Sequence, residues 1–132
     1  MKAISSHIGG GLDIGSIVQC DDNTGAKKLR IITKKGYKGR RGRRPHIGIG
    51  DIFIASVTVG KKGMKKKIVK AVVVRQKKPY RRATGEVIEF EDNAAILITD
   101  KKEAQGSEIK GAVAKEVGER FPRIPTVAKN VV

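Results

Sequence analysis

Two histidines, one cysteine and a few neighbouring carboxylates are the residues that could carry catalysis, and none is spaced for it. His7 and His46 are isolated, with no cysteine or carboxylate at metal-ligand spacing. His46 follows Pro45 beside arginines and reads as an RNA contact or a plain loop residue. Asp21 and Asp22 mimic a catalytic pair, but Asn23 and Gly25 beside them make DDNTG a turn sequence. Glu89, Glu91 and Asp92 are too local for an acid–base dyad. Cys20 lies in the apolar run IVQC and has no internal disulfide partner, so it reads as a buried, inert thiol. GKKGMKKK lacks phosphate-loop spacing, and its lysines serve better as point charges on RNA or DNA; GIGD at 48–51 is half a dinucleotide fingerprint with no helix to follow. The expectation is no enzyme, no cofactor and no metal.

The chemistry that remains is charge. The 132-residue chain carries a net +16, and the imbalance is local. Between Lys27 and Arg82 stand twenty-one Lys and Arg and one acid, Asp51; the rest of the chain holds eight bases and twelve acids. The bases form four clusters: KKLR at 27–30, KKGYKGRRGRR at 34–44, KKGMKKK at 61–67 and RQKKPYRR at 75–82. Such a segment repels itself unless a polyanion faces it, and nucleic acid fits better than an anionic membrane. Affinity then comes from phosphate contacts and shape. With aromatics at 4%, a general single-strand stacking platform is not expected. Tyr37 and Tyr80 sit inside basic clusters, where a ring either stacks on an exposed base or covers Lys and Arg stems; both readings stand.

The elements that must position these clusters are strands. SIVQC (16–20) reads as a first strand before the DDNTG turn. AKKLRII alternates, with Leu29 and Ile31 on one side and Lys28 and Arg30 on the other. DIFIASVTV (51–59) puts Phe53, Ala55, Val57 and Val59 on one face, and IVKAVVV (68–74) suits a central strand buried on both faces or one tightly curved in a small barrel. EVIEFE (86–91) turns Ile88 and Phe90 inward and continues through a kink at Asp92-Asn93 into NAAILIT (93–99). After Gly106 a short helix is predicted near 112–120, with Glu116 and Glu119 on its exposed side, ended by Pro122 and followed by another turn of helix after Pro125.

The fold class expected is mainly β: one domain, with a five-stranded closed meander barrel over 16–100, an extension at 1–15 and a helical cap at 106–132. Closure removes the edges of Val-rich strands. Residues 33–47 form a projecting basic ribbon or loop, pinned at both ends by strands. Its glycines let the backbone approach phosphates, and its arginines can clamp them; the tip is either ordered beforehand or folds on binding. The candidate RNA-binding residues are Lys27, Lys28, Arg30, Lys34, Lys35, Tyr37, Lys38, Arg40, Arg41, Arg43, Arg44, Lys77, Lys78, Tyr80, Arg81 and Arg82. No membrane span or signal peptide is expected, and a lone cysteine suits a reducing cytoplasm.

At AVVVRQKKPYRRATGEVIEFEDNAAILI (71–98) the chain resembles the family of large ribosomal subunit protein fourteen. A small residue and three aliphatics (Ala71 to Val74), a basic linker, Gly85, Phe90, Asn93, Ile96 and Leu97 follow the family pattern. Thr84 departs from it, standing where Asp, Asn or Ser is usual before the glycine. DNTGAKKLRII, GIGDIF and GAVAKEV are further matches, and the GGG and RRGRRPHIG segments look like the archaeal and eukaryotic branch. The resemblance implies a five-stranded barrel, a projecting β-ribbon, two short C-terminal helices and binding to large-subunit rRNA. It also implies neighbouring large-subunit proteins, a bridge to small-subunit rRNA, and a subunit anti-association factor docked at the C-terminal helices. A free, cycling nucleic-acid chaperone or initiation-type factor is the rival reading.

Overall fold

The DDNTG turn does more than reverse the chain. In the computed structural model, which describes residues 8–39 and 44–132, it joins β1 (Ile17–Cys20) to β2 (Ala26–Lys34). Asp22 Oδ1 accepts hydrogen bonds from the Thr24 hydroxyl at 2.6 Å and the Cys20 thiol at 3.2 Å. Asp22 Oδ2 accepts from the Leu97 N–H at 2.9 Å. Asn23 reaches Ser107 through both ends of its amide, at 2.8 and 2.9 Å. One carboxylate therefore closes a turn, engages a half-buried thiol and satisfies a backbone donor on a distant strand.

β2 pairs antiparallel with β3 (Ile52–Gly60), β3 with β4 (Ile68–Arg75), and β4 with a strand at Ala94–Leu97. That last barrel strand pairs parallel with β1, Gln19 opposite Ala94 and Cys20 opposite Ala95, and the barrel closes. Val18, Leu29, Ile31, Phe53, Ala55 and Val57 are buried, as their alternation requires. The alternation stops there: Val59, expected on the inner face, is 44% exposed, because register shifts between Ala26 and Leu29 turn the end of the ladder outward. β4 is exposed at Ile68 and buried from Ala71 to Arg75. Its second face is covered by the C-terminal unit, whose Ala114 N–H bonds to the Val74 carbonyl.

Two expectations are corrected. EVIEFE is not part of the barrel. Only Val87–Ile88 (β6) is strand, and it pairs with Tyr80–Arg81 (β5) as a two-stranded ribbon outside the barrel. Ile88 and Phe90 still pack against the core, so the alternation was real but its partner was misplaced. The strand at Ala94–Leu97, numbered β7, starts only after Asp92 and Asn93. Asp92 is drawn off by Arg75 at 2.9 Å, and Asn93 accepts from the Lys77 N–H at 2.9 Å. The C-terminal segment is likewise not all helix. Ile109–Val113 (β8) pairs parallel with Ala128–Val131 (β9), so Ala112 and Val113 are strand and α1 runs only from Lys115 to Arg120. A short 3-10 turn at Pro125–Val127 follows. Pairing between segments this far apart leaves no local periodicity to read.

Glu116, expected on the exposed side of the helix, is fully buried. It accepts from Arg82 Nε at 2.6 Å and from the Tyr80 hydroxyl at 2.8 Å, and Arg82 also donates to the Val132 carbonyl at 2.6 Å. This cluster fastens the β5–β6 ribbon to the C-terminal unit. Burial, and then the hydrogen bond to Glu116, push the Tyr80 phenol up to about 12. Of the basic loop, Lys35 and Gly36 form a turn and Ile47 bridges back to Leu12. Arg40, Arg41 and Arg43 lie outside the described residues.

Two tests follow from these buried groups. Glu116→Ala leaves the Arg82 guanidinium buried without its counter-ion and should destabilise the chain to urea by about 3–5 kcal/mol, with Glu116→Gln milder. A loss under about 1 kcal/mol for the alanine variant would reduce the cluster to the status of a surface pair. Burial, and then the nearby Asp22 charge, push the Cys20 thiol up to about 12. It should react with a disulfide reagent at pH 8 at least about a hundredfold more slowly than a free thiol until urea unfolds the chain. Equal rates in the folded and unfolded protein would contradict the burial.

Candidate nucleic-acid interface

The β2–β3 ladder is the ruler of the basic segment. It runs from Ala26 opposite Gly60 to Lys34 opposite Phe53, nine residues of β2, or roughly 25 Å at strand spacing. The 34–44 cluster leaves one end of this ladder and the 61–67 cluster leaves the other. Lys28 and Arg30 project outward between them, Arg30 flanked by Ile17 on β1 and Ser56 on β3. Lys27 is exposed as well, at the start of the strand.

At the loop end, Lys34, His46, Asp51 and Lys78 line one open cleft with Ile8, Gly9 and Gly10. Lys77 and Lys78 arrive there because β4 runs antiparallel to β3, bringing its last residues beside the first of β3. Lys34 Nζ donates to the His46 carbonyl at 3.2 Å and pairs with Asp51 at 3.3 Å. Asp51, the one acid of the basic segment, also accepts from the Gly48 N–H at 2.9 Å and pairs with Arg120 at 3.3 Å. It thus braces the loop and leaves Lys35, Lys38, Lys77 and Lys78 exposed, with no carboxylate at ion-pair distance among the described residues. Arg44 pairs with Asp13 at 2.8 Å; the Ile14 N–H and then Arg44 hold the Asp13 carboxyl below its usual range. Tyr37 is half-buried and folds its ring over Gly39, so it covers the local chain.

The sequence-predicted residues divide accordingly. Lys27, Lys28, Arg30, Lys35, Lys38, Lys77, Lys78 and Arg81 are exposed, and Lys34 and Arg44 are held by one carboxylate each. Arg40, Arg41 and Arg43 lie outside the described residues. Tyr80 and Arg82 are corrected: 4% and 7% exposed, they spend their polar atoms on Glu116 and are not free to meet a phosphate. Sequence reasoning placed them by their cluster, and the signal that removes them is an acid thirty-four residues away. Lys61, Lys62, Lys65, Lys66 and Lys67, expected as point charges on RNA or DNA but not named among the site residues, are ordered by the structure into a tight turn.

Among the described residues, no group of His, Cys, Asp and Glu could hold a metal ion, and no helix is long and apolar enough to cross a membrane. The surface offers spaced cations and backbone, which can neutralise phosphates and fit a shaped polyanion.

Comparison with known proteins gives the family. The model of the family described as ribosomal protein L14p/L23e matches residues 11–132. The chain is 51% identical to the large ribosomal subunit protein uL14 of Thermoplasma volcanium, over all of both chains. It is 52% identical to that of Picrophilus torridus and 42% to that of Haloarcula marismortui, again over the full length of each. The chain belongs to the ribosomal protein L14p/L23e family, whose members are structural proteins of the ribosome and not enzymes.

Proposed function

We propose that this chain, a ribosomal protein of the large subunit by its family, binds large-subunit rRNA in the cytoplasmic ribosome through the exposed cations of its basic segment. The observation that carries the reading is the disposition of charge. The acids near the basic segment are used inside the protein, by Lys34, Arg75, Arg82 and Arg120, while Lys28, Arg30, Lys35, Lys38, Lys77 and Lys78 stand in solvent without counter-ions among the described residues. Lys27 and Arg81 extend the same surface; Arg40, Arg41 and Arg43, outside the described residues, and Arg44, paired with Asp13, would add phosphate clamps from the basic loop. The contacts are to phosphates and to A-form shape rather than to bases, since Tyr37 and Tyr80 are both turned to the protein.

The same reading places the protein at the intersubunit interface, against neighbouring large-subunit proteins and a helix of small-subunit rRNA. The face around α1 is where a subunit anti-association factor would dock. Its support there is shape: Lys101, Lys102, Pro122 and Arg123 line an open cleft beside Phe121. Near that face Glu103 pairs with Arg123 and Glu108 with Lys129.

The test is salt. Replacing Lys28, Arg30, Lys77 and Lys78 with alanine should lower the magnitude of the log–log salt slope for rRNA binding by roughly 3–4, about 0.9 for each lost contact. It should also reduce recovery of the protein in large subunits sedimented after a moderate-salt wash. An unchanged slope and unchanged recovery would overturn the assignment. A wild-type protein that leaves the particle in that wash would favour the cycling-factor reading.

A further inference from the structure

Asp51 stands between two clefts and holds a cation of each. On the loop-end side it lines an open cleft with Lys34, His46 and Lys78. Arg120, at the end of α1, lines the other cleft with Lys101, Lys102, Phe121 and Arg123. Asp51 Oδ2 faces Lys34 Nζ at 3.3 Å and accepts from the Gly48 N–H at 2.9 Å, while Oδ1 accepts from Arg120 Nη1 at 3.3 Å. The three side chains are largely screened from solvent, with 31% of Lys34, 20% of Asp51 and 25% of Arg120 exposed. Their charges therefore act on one another more strongly than those of fully exposed pairs.

The carboxylate is fixed and the cations are not. The Asp51 N–H bonds to the Gly48 carbonyl at 3.1 Å, and its own carbonyl accepts from the Val73 N–H on β4 at 3.3 Å, just before β3 begins at Ile52. Lys34 ends β2 and reaches Asp51 on a flexible four-carbon stem, its ammonium shared with the His46 carbonyl. Arg120 holds Asp51 through one long hydrogen bond, and its Nε is buried with no acceptor among the described residues. A guanidinium with a spare buried donor beside a carboxylate is one bond short of a two-point pair. Phe121, the next residue, is buried, and its N–H closes the last turn of α1 on the Val117 carbonyl at 2.8 Å.

We propose that Asp51 is a positioning residue that passes the state of the loop-end cleft to α1. A phosphodiester entering that cleft draws the Lys34 ammonium toward itself. Asp51 is then left with Arg120 as its one strong cation, and the Arg120 fork closes on it and stiffens the end of α1. The inference rests on the rRNA-binding reading above and adds a response to it. Its sign follows from charge: the phosphate competes for Lys34 and adds negative charge beside Asp51, and both raise the negative potential at Arg120. The cleft beside Phe121 is thus presented in one fixed form by the RNA-bound protein and in a looser form by the free chain. Either cleft, once occupied, favours occupation of the other.

The test is amide hydrogen exchange at the end of α1 in the full chain, with and without a saturating short A-form RNA duplex. In the wild type, exchange at residues 119–121 should slow about fivefold when the duplex binds. Asp51→Asn keeps an acceptor for the Gly48 N–H but removes the charge that Lys34 and Arg120 share; the duplex should still bind at saturation and the response at α1 should vanish. Lys34→Gln mimics the occupied cleft. Without any RNA it should already slow exchange at the end of α1, and the duplex should add nothing. A merely structural Lys34 would loosen α1 or leave it unchanged, and either result overturns the proposal. A response that persists in Asp51→Asn also overturns it, since stiffening would then reach α1 by direct RNA contact or through Arg82 and Glu116, which these substitutions leave in place. A wild type that binds the duplex with no change at α1 overturns the coupling and leaves the rRNA-binding reading intact. A wild type that binds no duplex fails the rRNA reading itself, and the Lys34→Gln comparison still decides the exchange at Asp51, because it needs no RNA.

Discussion

The pairing of β2 with β3 sets the spacing between the 34–44 and 61–67 cation clusters and the outward direction of Lys28 and Arg30. It is the longest ladder in the barrel, and its two ends carry the 34–44 and 61–67 clusters of lysine and arginine. Because strand backbone is nearly inextensible, these clusters cannot collapse toward each other or drift apart. The outward-facing alternation of Lys28 and Arg30 fills the gap between them. The barrel's closure, β1 parallel to β7, then holds the ladder in a single curvature. What looks in the sequence like a string of basic runs is, in space, a cationic strip with a cluster at each end.

The second constraint is where the acids go. The chain's carboxylates in and beside the basic segment are structural. Asp22 closes a turn and caps a strand donor, Asp51 braces the basic loop, Asp21 and Asp92 grip Arg75, and Glu116 holds Arg82 and Tyr80 in the interior. Arg75 shows the balance involved. Burial alone would favour the uncharged form, yet its hydrogen bonds to Asp92 and Asp21 keep it firmly charged. Each acid consumed inside the protein is one fewer to screen the lysines outside. The stability of the fold and the cationic character of its surface come from the same allocation of a small number of carboxylates.

This allocation explains what could be read from sequence. Alternation in AKKLRII and DIFIASV gave the faces of β2 and β3 directly, because each strand has one buried side and period-two patterning reports it. The absence of an enzyme was visible in the isolation of His46 and Cys20. The errors all involve pairing partners that local periodicity does not report. EVIEFE alternates like a barrel strand but pairs with Tyr80–Arg81. GAVAK was given to a helix because nothing local announces that Ile109–Val113 will lie parallel to Ala128–Val131. Arg82 was counted as a phosphate ligand because its neighbours are basic, and its true partner lies on α1. The lysines at 61–67 were seen as charge, but their hydrogen-bonded turn and the inward Met64 are properties of the folded hairpin.

The central claim is that this cationic strip, both ends included, is covered by nucleic acid in the assembled particle. Lysine acetylation followed by mass spectrometry, on the free protein and on intact large subunits, tests it most directly. The account predicts strong protection on assembly at Lys28, Lys62, Lys65, Lys67, Lys77 and Lys78, restored to free reactivity when the particle's RNA is digested. Equal labelling of these lysines in the free and assembled states would contradict it.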